Sequence, residues 1–590
     1  MNKNIRMKSN FNKYPIININ GHSCIAGWEN IAEEIKETSS EVIAFECYQG
    51  VFLEEIITSV QKLLKPELII NTSEAMKSEQ EIAVMVQPFV TDDPVFGYMT
   101  PLELEDYFDP DKISKLQKKI ANNKGYTVVV GPGATLIAMK PDITVYADMP
   151  RWEIQKRFRK NTACNLGKTN YTDSFPYQYK HAYFVDWRVC DRYKKQILNT
   201  CRFVLDTTLP ELPKMISTSA LFDALQKTVR QPFRVVPFFD PGPWGGQWLK
   251  EVCDLDRSVS NYAWGFDCVP EENSLLLGFG DQVVEIPSNN LVFFQPEALL
   301  GKQVYEGFGD EFPIRFDFLD TMEGGNLSLQ VHPLKEYIKE NFGMTYTQDE
   351  SYYMLDVKEG AFVYLGLKEN TDPDKMMKDL ETAQTDNIPF DAEKYVQKWP
   401  VRKHDHVSIP AGTVHCSGAN SVVLEISATP YIFTFKLWDW GRMGLDGKPR
   451  PISLKHGKNV IQWDRTTSWT KENILNLTES VTQGDGWREE RTGLDEWSFI
   501  ETRRHWFTKK VVHHTEGVVN VLNLVEGREV IVESPDQNFE PYVIHYAETF
   551  IVPADVGAFT ITPHGESAGQ ECATIKASIR PDMIAEKVLK

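Results

Sequence analysis

Two stretches in the second half of the chain decide the fold: GGNLSLQVHP at Gly324–Pro333 and PAGTVHCSGAN at Pro410–Asn420. In the first, Gln330 and His332 lie two positions apart in a short predicted strand, so both side chains point to one face of a sheet. In the second, a Pro and Gly turn precedes His415, which predicts that its imidazole faces the interior of a barrel. The two stretches therefore predict a β-barrel with polar donors converging inside it.

A fourth donor lies between these stretches. The segment DESYYMLDV places Glu350 at the start of another predicted strand. Two imidazoles, one carboxylate and one amide oxygen suit a borderline divalent cation, and Zn²⁺ with one open coordination position is the predicted ion. Fe²⁺ and Mn²⁺ are the alternatives for this donor set. The predicted metal ligands are Gln330, His332, Glu350 and His415.

Around this centre the chain divides into three predicted parts. Residues 1–230 alternate short β-branched runs with helical stretches, which is the pattern of an α/β domain. Residues 231–490 consist of short strands separated by Gly and Pro, typical of an all-β barrel, with helical insertions at LKEYIKENFG and DPDKMMKDLETAQTD. Residues 491–590 return to strands and predict a second, smaller barrel.

The second predicted barrel lacks the donors of the first. Its sequence contains neither an HxH nor a PxGxxH motif, so we predict that it binds no metal. Several of its histidines are interpreted as structural or surface residues: His513, His514, His545 and His564.

Composition and charge exclude several classes of partner. The chain has 590 residues, and 63 Lys plus Arg against 83 Asp plus Glu give a formal net charge of −20. This balance disfavours nucleic acid, and no run approaches the ~18 apolar residues of a membrane span. Nine scattered cysteines without a CxxC pair, and an N-terminus without a secretory signal pattern, predict a cytoplasmic protein. We expect a small-molecule partner, with no nucleic acid and no membrane.

PAGTVHCSGAN resembles the second motif of the cupin superfamily, and Gln330-x-His332 with Glu350 resembles a stretched first motif. More narrowly, the chain from Phe239 to about Lys458 looks like class I mannose-6-phosphate isomerase, through WGGQWL, LSLQVHP, ESYYML, PAGTVH, VVLEIS and LWDWGRMGLDGKPRPISLKHG in one order. The resemblance implies a multidomain chain with two cupin barrels, a bicupin, and one Zn²⁺ bound by the four predicted ligands.

The same resemblance implies interconversion of mannose 6-phosphate and fructose 6-phosphate. A divalent ion polarises the sugar oxygens while a proton moves between C1 and C2. Lys436 stands where the family usually has a catalytic Arg, and Gln348 stands where it commonly has a Lys. Lys436 and Arg442 are the predicted catalytic residues. Phosphate capture in so acidic a chain needs a local basic cluster, for which the candidates are Lys436, Arg442, Lys448 and Arg450.

The first part of the chain, from Glu41 to about Thr208, resembles the uridine kinase branch of P-loop kinases in the order of its segments: EVIAF, the acidic pair Asp92 and Asp93, YTVVVGPGA and PDITVYADM. That family needs GxxxxGK[ST] after its first strand to hold phosphates. This chain has ECYQGVF from Glu46 instead, which removes the space and the positive field that phosphates require. We expect a degenerate kinase-like domain without kinase activity.

A second function, from a different class, stays open at this point. A degenerate kinase-like domain beside an isomerase-like barrel with altered cationic positions is also the pattern of a non-catalytic carbohydrate-phosphate-binding or regulatory cupin protein. Tight binding of a sugar phosphate without turnover would distinguish that protein from an isomerase.

Overall fold

The structure, a computed structural model, describes residues 9–38, 40–385, 388–428, 431, 433–444, 450 and 452–588. Of the predicted phosphate-binding residues, Lys448 lies outside the described residues. Within the described part of the chain, no helix has the length and apolar character needed to cross a bilayer. All nine cysteines carry free thiols.

The N-terminal part of the chain is an α/β arrangement around a seven-stranded sheet of order β2-β8-β7-β6-β3-β5-β4. Strands β3 to β7 are parallel to one another. At one edge of the sheet, β8 pairs antiparallel with β7, and β2 pairs antiparallel with β8. The strands are β1 Ile16–Asn18, β2 Ile25–Ala26, β3 Val42–Cys47, β4 Leu68–Asn71, β5 Thr127–Gly131, β6 Ile143–Asp148, β7 Phe203–Asp206 and β8 Lys214–Ser217. Helices on both faces explain why β3 and β5 read as continuous apolar runs.

Amphipathic helices connect these strands. The first helix, for example, buries the apolar stripe of Ile31 and Ile35. The helices are α1 Trp28–Glu37, α2 Leu53–Leu63, α3 Glu79–Val90, α4 Pro110–Asn122, α5 Ala134–Ile137, α6 Arg151–Arg159, α7 Phe175–His181, α8 Trp187–Ile197 and α9 Thr218–Thr228.

Glu46, near the end of β3, occupies the place where the kinase resemblance requires a phosphate loop. Its carboxylate accepts hydrogen bonds from the backbone N–H of Gly133 at 2.5 Å and of Thr135 at 2.9 Å, and from the Thr135 hydroxyl at 2.8 Å. Burial raises the pKa of Glu46 to about 7, against the lowering effect of these bonds. An internal carboxylate therefore satisfies the N–H groups of the turn after β5.

The central part of the chain contains two facing sheets of orders β18-β15-β20-β13-β10-β9 and β17-β16-β19-β14-β21, which form the predicted barrel. A separate sheet pairs β1 with β11 and β12. The strands are β9 Phe238–Asp240, β10 Trp264–Cys268, β11 Ser274–Phe279, β12 Gln282–Pro287, β13 Arg315–Asp320, β14 Leu329–Val331, β15 Glu350–Val357, β16 Phe362–Leu367, β17 Val396–Pro400, β18 His406–Ile409, β19 His415–Ser417, β20 Ser421–Ser427 and β21 Phe435–Trp438.

Both predicted helical insertions are confirmed, as α14 and α15. The helices of this part are α10 Trp248–Val252, α11 Asn289–Phe294, α12 Pro296–Leu300, α13 Lys302–Phe308, α14 Lys335–Phe342, α15 Pro373–Thr385, α16 Ala392–Tyr395, α17 Leu454–Gly457 and α18 Thr467–Asn473. Buried side chains of the N-terminal and central parts belong to one continuous hydrophobic core.

The C-terminal part is a second pair of sheets, of orders β22-β23-β24-β31-β26-β29 and β25-β30-β27-β28. Its strands are β22 Thr478–Gly484, β23 Trp487–Thr492, β24 Ile500–Phe507, β25 Val511–His514, β26 Asn520–Glu526, β27 Glu529–Glu533, β28 Tyr542–His545, β29 Thr549–Val552, β30 Ala558–Pro563 and β31 Cys572–Ile579, followed by helix α19 Pro581–Lys587. The hairpin of β22 and β23 begins at Thr478, so the strands of this part start on the N-terminal side of the boundary at 491 that the sequence predicts.

Candidate metal centre

The predicted ligands come from both sheets of the central barrel. Gln330 on β14 is directly opposite His415, the first residue of β19, in the five-stranded sheet. His332 follows β14, and Glu350 begins β15 in the six-stranded sheet. The turn before His415 contains Gly412 with a φ of 89°, a conformation that favours glycine. All four side chains therefore meet between the sheets, in the barrel interior.

Hydrogen bonds to backbone carbonyls orient both imidazoles. Nδ1 of His332 lies 2.9 Å from the carbonyl oxygen of Phe433, and Nδ1 of His415 lies 2.9 Å from that of Thr413. Because a carbonyl only accepts, each Nδ1 carries the proton and donates it. Each Nε2 is left with a lone pair, which is the form in which histidine binds a metal.

These Nε2 atoms converge on one carboxylate. Nε2 of His332 lies 3.0 Å from Oε2 of Glu350, and Nε2 of His415 lies 2.9 Å from Oε1. All three residues are buried, and neither Nε2 of His332 nor Oε1 of Glu350 has a hydrogen-bond partner of normal geometry. Buried ligand atoms that face one another, two of them without a hydrogen bond, fit a divalent cation between them. Within the described part of the chain, no other group of three such residues converges in this way.

Two glutamine side chains complete the surroundings of the carboxylate. The amide of Gln330 lies 3.3 Å from Nε2 of His415, so rotation of this amide would turn its oxygen toward the same point. Nε2 of Gln348 donates to Oε2 of Glu350 at 2.9 Å, while its Oε1 accepts from the backbone N–H of Phe433 at 3.0 Å. Gln348 thus links Glu350 to the segment that orients His332.

The negative charge of Glu350 and a positive charge on His332 stabilise each other. Burial acts against ionisation of Glu350, but the adjacent imidazoles of His332 and His415 hold the pKa of Glu350 well below its usual range. Burial likewise acts against a charged His332, but Glu350 and the Phe433 carbonyl outweigh it and raise the pKa of His332. A bound cation would replace the imidazole proton of His332 as the positive charge beside the Glu350 carboxylate.

A cavity of about 200 Å³ borders Gln330. Trp244 and Trp264 form part of its wall. Their rings pack edge to face, with centroids 4.8 Å apart. Its other lining residues include charged groups from both sheets: Arg315, Asp317, Glu425, Lys436 and Arg450.

The predicted cationic residues divide between this cavity and its surroundings. Lys436, opposite Gln330 on β21, lines the cavity, and so does Arg450. Burial and the repulsion of Arg450 outweigh the attraction of Asp439 and lower the pKa of Lys436 to about 8. Arg442 does not line the cavity; it donates to the carboxylate of Asp439 at 2.6 Å and to the Asn326 carbonyl at 2.5 Å, and Arg450 donates to the same carboxylate at 2.7 Å. That Arg442 is catalytic stays a prediction.

Three cavity residues were missed by the sequence interpretation. Arg315 and Asp317 alternate along β13, and Asp317 is directly opposite Glu425 on β20. Burial raises the pKa of Asp317 to about 7, against the lowering effect of Arg315. Burial, together with the nearby charge of Glu350, raises the pKa of Glu425 well above its usual range. A carboxylate inside the apolar strand VVLEIS was the sequence signal for this cluster, since buried acids are rare without a role.

Comparison with known proteins adds two separate findings. A family described as "Domain of unknown function (DUF8485)" matches residues 27–230. Mannose-6-phosphate isomerase ManA of Bacillus subtilis is 28% identical over 154 residues, which cover 26% of this chain and 45% of that protein. Mannose-6-phosphate isomerase of Streptococcus mutans is 23% identical over 224 residues, or 37% of this chain and 64% of that one. Part of this chain is homologous to mannose-6-phosphate isomerases.

The homology is partial, because the chain matches under half of the length of the Bacillus subtilis relative and under two thirds of the Streptococcus mutans one. Among solved structures, the mannose 6-phosphate isomerase of Bacillus subtilis aligns with a TM-score of 0.47 at 18% identity, over 59% of this chain and 99% of that chain.

Proposed function

We propose that the central barrel is a metal-dependent aldose–ketose isomerase that interconverts mannose 6-phosphate and fructose 6-phosphate. The observation that carries the proposal is the convergence of His332, Glu350 and His415 within contacts of 3.0 Å. Gln330 and Gln348, which contact this group, line a cavity together with Lys436. The partial homology to mannose-6-phosphate isomerases supports the same conclusion.

Zn²⁺ is the proposed ion, because two imidazoles and a carboxylate with an amide oxygen suit it. When bound by these residues, the ion supplies Lewis acidity toward the sugar oxygens.

The chain itself would hold the substrate. Lys436 and Arg450 offer positive charge to a phosphate group, and Trp244 and Trp264 exclude water from one wall. The small cavity limits the substrate to a small molecule.

The test is a coupled assay of fructose 6-phosphate formation from mannose 6-phosphate by the zinc-loaded protein. His415→Ala should lose the metal and the activity together, since the remaining donors bind divalent ions far less well. His564→Ala, an exposed histidine of the C-terminal barrel, is the matched control and should retain both. An active protein without bound metal, or an inactive zinc-loaded wild type, would contradict the proposal.

One observation favours the alternative of a non-catalytic sugar-phosphate-binding or regulatory protein. Asp439 holds Arg442 through an ion pair of 2.6 Å, and the cavity presents the mobile ammonium of Lys436 rather than a rigid guanidinium at that position. Binding of mannose 6-phosphate that needs His332 but gives no product in the same assay would establish this alternative.

For the N-terminal part we propose a degenerate P-loop-kinase-like domain at residues 1–230, followed by a metal-binding barrel at 231–490 and a C-terminal barrel at 491–590. The central position of β3 between β5 and β6, and the occupation of the turn by Glu46, support the first assignment. The absence of ATP hydrolysis and of nucleotide binding by the purified chain is the expected result, and either activity would contradict it.

A further inference from the structure

A cavity of about 600 Å³ with a polar lining opens at the surface of the C-terminal barrel, where the exposed Val512 and Glu516 border it. The antiparallel register places Arg503 of β24 opposite Lys576 of β31, and Glu501 opposite Ser578. Asn520 of β26 is in turn opposite Ser578. These residues share one face of the six-stranded sheet, where a barrel interior filled only for stability would be apolar.

The carboxylates of this face already have cationic partners. Arg503 contacts Glu489 at 3.0 Å and Glu501 at 2.6 Å, and Arg491 contacts Glu501 at 3.1 Å. The acids of the inner sheet face are therefore neutralised by arginines of the same face.

Lys576 is the exception among these charges. It is 9% exposed and lines the cavity, and among the described residues its ammonium forms neither an ion pair nor a hydrogen bond. Burial lowers the pKa of Lys576, against the attraction of Glu489. A buried cation without a partner costs free energy, unless an anionic ligand neutralises it.

Two buried histidines at the same cavity each have one ring nitrogen without a hydrogen-bond partner. The rings of His505 and His513 lie 4.4 Å apart, and both residues are less than 5% exposed. Nε2 of His505 contacts Glu489 at 3.3 Å, so its Nδ1 has a free lone pair. Nε2 of His513 and Oδ1 of Asn520 likewise have no hydrogen-bond partner. Buried polar atoms without partners in a cavity indicate groups that a ligand satisfies.

We propose that this cavity binds a small polyhydroxylated molecule that carries one oxyanion group. The oxyanion pairs with Lys576, and ligand hydroxyls donate to Nδ1 of His505 and Oδ1 of Asn520. The same chemistry is found in a sugar phosphate and in a sugar acid. The ammonium of Lys576, which forms no ion pair among the described residues, favours an anionic group over a metal cation at this point of the cavity. The site is separate from the metal centre and does not depend on its proposed function.

The experiment is isothermal titration of the full chain with D-gluconate, with mannose 6-phosphate and with neutral mannose. We expect gluconate to bind, or mannose 6-phosphate to bind at two sites, with no heat from mannose. Lys576→Met should weaken gluconate binding at least 10-fold, or reduce the number of mannose 6-phosphate sites from two to one. Lys510→Met is the matched control, since Lys510 of the same barrel has a side chain that is 55% exposed.

The two anionic probes distinguish the sources of the ligand. Gluconate binding that Lys576→Met abolishes assigns a sugar acid, whereas a lost second site for mannose 6-phosphate assigns a phosphosugar. Binding of both probes that is unchanged in Lys576→Met, or binding of neither at this site, would overturn the proposal. Isomerase activity should be unchanged in this variant, so failure here is distinguishable from failure of the proposed function.

Melting temperatures of the wild type and the variants distinguish a loss of ligand binding from a loss of folding. Lys576→Met removes an unpaired buried charge, so its melting temperature without ligand should equal or exceed that of the wild type. His513→Phe is a second variant, because a phenyl ring preserves the stacking on Phe559 while it removes the free Nε2. The bound probe should raise the melting temperature of the wild type and have a smaller effect on both variants. An equal rise in all three proteins would refute the proposal.

Discussion

The ring of Phe96, in the N-terminal part of the chain, stacks on the ring of Phe433 with centroids 5.8 Å apart and planes 9° apart. Phe433 is the residue whose carbonyl orients His332, and Phe96 is 1% exposed. Asp93, three residues earlier, contacts Nε2 of His456 at 3.0 Å. The segment that positions a predicted metal ligand is therefore supported from the α/β part of the molecule. Asp93 belongs to the acidic pair that resembles a kinase feature, and in this structure it contacts His456.

Phe96→Ala should weaken metal binding although Phe96 lies outside the ligand set. Loss of the ring leaves a cavity beside Phe433 and lets its carbonyl move away from Nδ1 of His332. We expect a loss of about 3 kcal/mol in the free energy of unfolding and a decrease of about 10-fold in metal affinity. Phe45→Ala, in the core of the seven-stranded sheet, is the control for stability alone. Equal metal affinity of the two variants in a chelator competition would show that the contact has no positioning role.

Gln348→Ala should lower metal affinity about 10-fold to 100-fold while it leaves all four ligands in place. The variant removes the donor to Glu350 and the acceptor of the Phe433 N–H, so both neighbours lose their orientation. Chelator competition measures the effect. Gln397→Ala, whose amide bonds the Lys398 carbonyl on β17, is the matched control. An affinity equal to that of the wild type would exclude an orienting function for Gln348.

Lys436 should make substrate binding depend on pH in the alkaline range. With a pKa lowered to about 8, its ammonium is charged below pH 8 and loses its charge as the pH rises further. The KM for mannose 6-phosphate should therefore increase between pH 7 and 9, because the phosphate remains dianionic while the cation disappears. Lys436→Arg should keep KM nearly constant over this range, and Lys436→Met should raise it throughout. A parallel increase in the Arg variant would assign the pH dependence to another group.

Glu46 should destabilise the fold as it ionises. Its pKa in the folded protein is raised from 4.5 to about 7, so its contribution to the free energy of unfolding falls as the pH rises between these values. The decrease is on the order of 3 kcal/mol at most. In Glu46→Gln this decrease should be absent in urea denaturation at pH 5 and pH 8, although an unpaired N–H lowers stability at both. The exposed Glu33→Gln should retain the wild-type pH dependence.

Glu46→Gln has a second expected outcome. Isomerase activity should be nearly unchanged, because Glu46 contacts only the turn after β5. A large loss of turnover would show that the α/β part contributes to catalysis.

Much of the central barrel was predictable because its signals are local. Residues two apart on a strand share a face whatever the rest of the fold, so Gln330 and His332 had to point together. A Pro and Gly turn before a short strand restricts the backbone near His415 in the same way. The insertions α14 and α15 were equally local, since helix formers and boundaries lie within each segment.

The electrostatic environment of the cavity was not predictable from such patterns. Arg442 and Arg450 both pair with Asp439, but only Arg450 lines the cavity, and Arg315 lines it from a strand with no recognised motif. Likewise, Lys576 and His505 belong to a barrel whose sequence lacks metal motifs, yet Lys576 lines one cavity with His505, whose Nδ1 has no partner. Which charges pair depends on strand register between distant segments, and no local pattern encodes it.

By itself, then, the sequence determined the residue types of the predicted ligands, the strand and turn geometry that aims each one, and the acidic balance that favours a small-molecule partner. Only the tertiary structure decided that Glu350 meets both imidazoles, that Phe433 and Phe96 support His332, and which cations reach the cavity. The physical reason is that local conformational preferences act over a few residues. Distances between side chains far apart in the chain depend on the packing of whole sheets against each other.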